Sequence, residues 1–185
     1  MQRTASQTVG PFFLDALIHS GDEIIAKAGT SGLAMILEGS VLDAEGAQVS
    51  DVVLELFQAD AAGQYALGNQ QTHSGGVFSG FGRATMDTSG KFRFHTVYPG
   101  VVRGANMIQA PHFDLMVFAR GLLKPLVSRI YFEADSGNAT DPVLALVPAH
   151  RRGTLLARRD ATAGQSVWRF DVRLQGKDET VFFNF

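Results

Sequence analysis

Apolar residues come in short alternating bursts along most of the chain, and turn-forming residues interrupt them at close intervals. Met35–Leu42 reads as a strand and closes on Asp43-Ala44-Glu45-Gly46, and Val52–Gln58 closes on Asp60-Ala61-Ala62-Gly63. Phe81–Met86 and Lys91–Val97 continue the pattern up to Pro99-Gly100, and Phe113–Ala119, Ser128–Phe132, Val167–Leu174 and Thr180–Phe185 follow. Side chains on a strand face opposite sides in turn, so such alternation buries one face of each segment. Strands this short, spaced by turn signals, predict a mainly β fold, an antiparallel β-sandwich with a few short helices. Ahead of them, Ser6–Phe13 has no periodicity and contains Gly10-Pro11, which predicts an ordered arm. A helix is expected over Leu14–Ala28 and a helical turn within His150–Ala157. The expected organisation is one domain over 1–185, with an N-terminal arm (1–32) and a β-sandwich core (33–185).

The chain's 185 residues, 45% hydrophobic and 18% charged, suit a single globular core. A net charge of −2 without a basic run gives no electrostatic footprint for nucleic acid or a membrane surface. Cysteine is absent, which excludes thiolate metal sites, a cysteine nucleophile and disulfides. The first residues, MQRTASQTVGPFF, lack the apolar centre of a signal peptide, so the expectation is a cytoplasmic protein. Phenylalanine is abundant, at 14 residues, and the chain ends Val181-Phe182-Phe183-Asn184-Phe185. Aromatic rings at a terminus are costly to leave in water, so this tail is expected to pack into the core or against another subunit.

Several fragments, taken together, carry a resemblance. Leu37–Asp43 through Glu55–Tyr65 resembles the first half of the core of intradiol ring-cleavage dioxygenases, and Phe81-Gly82-Arg83-Ala84 through Thr96–Gly100 resembles its centre. Ala110-Pro111-His112-Phe113-Asp114 followed by Arg129-Ile130-Tyr131-Phe132 is similar to the strands that carry iron ligands in that family. The arm Ser6–Phe12 and the C-terminal stretches Arg169–Gly176 and Glu179–Phe183 are similar to the non-iron-binding alpha chains of its heteromeric members.

The resemblance implies ferric iron held by two tyrosinates and a His-x-His pair in catalytic chains, a donor set suited to a hard ion. Tyr65 matches the first tyrosine and His112 the first histidine. The second tyrosine should follow Pro99-Gly100, where the chain reads Val101-Val102-Arg103, and the second histidine position is Asp114. Tyr65, His112 and Asp114 are therefore read as degenerate ligand positions, hydrogen-bonded within a packed pocket, and no metal is expected on this chain. His19, His73, His95 and His150 lack metal-ligand spacing with one another.

By the same resemblance, Fe(III) belongs to a homologous beta subunit, and the two chains form a higher hetero-oligomer. The implied reaction cleaves protocatechuate with O₂ to 3-carboxy-cis,cis-muconate at a shared site. Thr8, Gly10 and Pro11 match arm residues that border the partner's pocket. Glycine permits close backbone approach there, and proline fixes the loop. Arg120 matches an arginine near that pocket, where a guanidinium would favour an anionic aromatic acid; otherwise it is a surface salt-bridge arginine. Eight residues at ~3.3 Å each put it roughly 26 Å along a strand from His112. Two rival readings remain open on the residues alone. One is a self-sufficient dioxygenase with an altered metal site at Tyr65, His112 and Asp114, and the other is a prealbumin-like binding module.

Overall fold

The computed structural model describes residues 4–10, 12–66, 77–105, 107–163 and 166–184. Pro11, His73 and Phe185 lie outside the described residues, so the expectations attached to them stay with the sequence.

The strands are β1 (Ala34–Gly39), β2 (Val41–Leu42), β3 (Val52–Gln58), β4 (Phe81–Ala84), β5 (Phe92–Val97), β6 (Val102–Arg103), β7 (Ile108–Gln109), β8 (His112–Ala119), β9 (Leu126–Phe132), β10 (Leu156–Asp160), β11 (Val167–Arg169) and β12 (Val172–Arg173). Eight of them form one sheet in the order β4-β3-β8-β9-β10-β11-β1-β5, which rolls until its terminal strands β4 and β5 meet. Antiparallel pairing predominates, as the alternation predicts. The sheet also holds two parallel pairs, β1 with β11 and β9 with β10, which local pattern does not reveal.

Inside the roll, Phe92, Phe94, Phe113, Phe132 and Trp168 pack with Leu37, Leu54, Leu56 and Leu115. Phe132 meets Trp168 edge-on at 4.9 Å between ring centroids and Tyr98 at 4.3 Å, spacings at which aromatic pairs attract. Gln58 is the polar tie through this core. Its amide donates to the carbonyls of Ala59 and Val97, both at 3.0 Å, and its carbonyl oxygen accepts from the Thr96 hydroxyl. A fully buried amide is tolerated because these groups are paired.

On the outer face Glu38 is nearly buried, yet it faces Arg93 on β5 and Arg169 on β11 in register. Both guanidiniums donate to it, at 3.1 and 2.6 Å.

The sheet breaks where the predicted strands Met35–Leu42 and Val167–Leu174 were each expected to run through. At Gly39 a β-carbon would lie 1.7 Å from the Phe170 carbonyl oxygen, so only glycine lets the two backbones cross. Beyond the crossing, β2 pairs with β12 as a separate ribbon. The helix is shorter than expected, Phe13–Leu17 (α1). Ile24–Ala26 lies instead along β5, where the Ile25 N–H donates to the His95 carbonyl at 2.9 Å. The helical turn expected within His150–Ala157 is present as a 3₁₀ helix over Ala149–Leu155. The C-terminal tail packs within the chain: Phe183 N–H donates to Val127 O at 2.7 Å, and Phe182 rests half-buried on the core.

Candidate functional site

Two ends of β8 carry the residues singled out in the sequence. At its start, His112, Asp114 and Tyr65 do come together. Tyr65 is delivered by the turn after β3, where Asp60 accepts the N–H groups of Ala62 and Gln64, both at 2.9 Å. Gly63 closes that turn with φ +81°, a left-handed conformation that glycine adopts without steric cost. Ala59 and Tyr65 then bridge as an antiparallel pair.

His112 is fixed from behind. Its Nδ1 donates to the Ala110 carbonyl at 2.7 Å, which leaves Nε2 as an acceptor facing the Tyr65 hydroxyl at 3.1 Å. The Ala110 segment is itself anchored by the buried carboxylate of Asp141, which accepts Ala110 N–H at 2.9 Å and the Tyr131 hydroxyl at 3.0 Å. Tyr65 also donates toward Asp114 Oδ2 at 3.2 Å, so one phenolic proton is shared between two acceptors.

The residue that sequence reading missed is Arg129. It sits directly across from Asp114 in the β8–β9 register, and its Nε donates to Asp114 Oδ1 at 2.8 Å. A second donor, Nη1, reaches Gln109 Oε1 at 2.6 Å. An aspartate in a half-buried position calls for a cationic partner, but which arginine supplies it depends on strand register and cannot be read from spacing.

These electrostatics oppose a ferric ion. Burial, reinforced by the Asp114 carboxylate, pushes the Tyr65 phenol well above its ordinary pKa, so it keeps its proton rather than offering a phenolate. Burial and the Arg129 charge hold His112 below its ordinary value, only partly offset by Asp114, and so keep it neutral. Burial alone would lower the Arg129 pKa, but Asp114 and the neighbouring tyrosine oxygens raise it, so the guanidinium stays charged beside the cluster. β6 contributes Val102 and Arg103 where the resemblance places a second tyrosine. One neutral phenol, one imidazole and one carboxylate already paired to arginine do not fit a hard trivalent ion.

At the far end of β8, the arm and Arg120 also come together. Gly121 N–H donates to the Thr8 hydroxyl oxygen at 2.7 Å. Val9, Gly10, Phe13, Leu14, Asp51 and Arg120 enclose a cavity of about 90 Å³. Phe13 packs against Phe118 as a tilted pair with ring centroids 5.6 Å apart, which docks α1 onto the outer face of β8. Arg120 itself is 78% exposed and pairs with Asp51 at 3.3 Å. Taken alone, that is the geometry of a surface salt bridge, and such pairs add little stability.

With this geometry in hand, comparison with known proteins defines the class. A family model described as Dioxygenase matches residues 8–176, and the chain belongs to that family, in its intradiol ring-cleavage branch. Intradiol dioxygenases work with non-haem iron. The chain is 42% identical to the protocatechuate 3,4-dioxygenase alpha chain of Burkholderia cepacia, across 100% of this chain and 98% of that one. It is 33% identical to the beta chain of the same organism's enzyme, over 80% of this chain and 67% of that one. The 3-chlorocatechol 1,2-dioxygenase structure from Rhodococcus opacus superposes with a TM-score of 0.67 at 24% identity, covering 83% of this chain and 65% of that one; this likeness shows the fold alone. Among the described residues no helix is long and apolar enough to cross a membrane.

Proposed function

We propose that this chain is the alpha subunit of a protocatechuate 3,4-dioxygenase, a single-domain partner to a homologous beta chain that holds the Fe(III). The end-to-end similarity to an alpha chain carries the reading. The poor match between ferric iron and the Tyr65, His112 and Asp114 cluster supports it, because an arginine is bonded into that cluster.

The assembled enzyme cleaves protocatechuate with O₂ to 3-carboxy-cis,cis-muconate, and iron bound on the beta chain would supply activation of the catechol. This chain's part is to border the pocket and attract the substrate. Gly10 lets the arm backbone approach closely, and the Thr8 hydroxyl ties the arm to Gly121. The Arg120 guanidinium, held at the pocket mouth, draws in the carboxylate of the aromatic acid by charge.

Expressing the chain with and without a beta-type homologue tests this. The expected result is protocatechuate cleavage and iron only in the co-expressed complex, with a colourless, inactive preparation of the chain alone. Stoichiometric iron with ring-cleaving activity in the chain alone would instead establish a self-sufficient dioxygenase.

A further inference from the structure

The donor atoms of the Tyr65 cluster are spaced like ligands of a single ion. Tyr65 Oη lies 3.1 Å from His112 Nε2 and 3.2 Å from Asp114 Oδ2, and the latter two are 3.8 Å apart. Two ligands bound at about 2.0–2.2 Å to a first-row cation, at tetrahedral angles, sit about 3.3–3.6 Å from each other. The triangle is therefore close to that size, and two features hold its members in place: the Ala110 carbonyl orients His112, and the Gly63 turn orients Tyr65.

What distinguishes the cluster from a metal centre is the positive charge already attached to it. Arg129 donates to the Asp114 oxygen that points away from Tyr65, and Gln109 braces the guanidinium. We infer that Arg129 is an internal counter-ion standing in for a metal, and that it closes a latent divalent-cation site made by Tyr65, His112 and Asp114.

The donor set specifies the class of ion. One imidazole with two oxygen donors suits a first-row divalent ion. This inference goes beyond the subunit assignment and concerns only residues of this chain.

Titration of the full chain with Co²⁺, followed by visible absorption and calorimetry, tests it. Arg129→Met is expected to take up one Co²⁺ per chain, at least about a hundredfold more tightly than the wild type, with a raised melting temperature. Adding His112→Ala should abolish that uptake. Arg129→Lys keeps a cation in place and should refuse the ion as the wild type does. If Arg129→Met does not fold, Arg129→Gln, whose amide keeps a hydrogen bond, takes its place. Equal affinity in wild type and the neutral variant, no saturable uptake by that variant, or uptake by Arg129→Lys as tight as the neutral variant's would each overturn the inference.

Discussion

The Thr8 hydroxyl accepts the backbone N–H of Gly121 at 2.7 Å, across 113 residues of sequence, and this bond joins the N-terminal arm to the end of β8. The bond is exposed, so its loss leaves Gly121 to water rather than orphaned. Thr8→Val should cost about 0.5–1.5 kcal/mol of arm docking. Protease cleavage within the arm should then speed up by about two- to tenfold, while Thr8→Ser stays near wild type. Unchanged cleavage in Thr8→Val would show that Phe13 against Phe118 holds the arm without help.

Arg120 and Asp51 give a charge test of substrate capture. In the assembled enzyme Arg120→Ala should lower kcat/KM for protocatechuate by about five- to thirtyfold, equivalent to about 1–2 kcal/mol. Catechol, which lacks the carboxylate, should be affected less, and added salt should narrow the gap. Asp51→Asn removes the competing carboxylate and should leave capture intact or improved. Equal losses for both substrates with Arg120→Ala would return Arg120 to the role of a surface salt bridge.

Gly39 is a steric requirement of the fold. A β-carbon there would sit 1.7 Å from the Phe170 carbonyl oxygen and 3.1 Å from the Phe92 ring. Gly39→Ala must push β1 away from the segment joining β11 to β12, at a cost of about 3 kcal/mol or more. Denaturant unfolding would register it, and a variant as stable as wild type would mean that the crossing can relax.

Asp160 contributes to stability on the acid side. Hydrogen bonds from the Thr162 hydroxyl and N–H, then from Arg169, hold its carboxyl well below the usual carboxylate range. A depressed folded-state pKa means the unfolded chain takes up the proton first as pH falls. The contribution is therefore present above about pH 4 and is lost progressively below it. Between pH 5 and pH 3 the wild type should lose more stability than Asp160→Asn, and parallel acid profiles would argue against this assignment.

The parts of the fold legible from sequence are those in which one apolar run maps onto one strand. β3, Val52–Gln58, is such a case, bounded by the Asp60 turn. β10 was not legible, because Leu156-Ala157-Arg158-Arg159-Asp160 carries its charges where an apolar alternation would be sought. Ile24 and Ile25 fall within the helix expected over Leu14–Ala28, whereas tertiary hydrogen bonds to β5 set their conformation. In the site, Tyr65, His112 and Asp114 could be grouped from their motifs. Arg129 could not, since its partnership with Asp114 exists only through the β8–β9 register.

That partnership has a consequence for how the chain matures. A metal centre is completed only when the cell delivers an ion, so its folding depends on supply and on the order of loading. Here the cation that balances Asp114 is bonded at 2.8 Å from an arginine of the same chain. It arrives with translation, in fixed stoichiometry, and cannot be removed by a chelator or by starvation for iron.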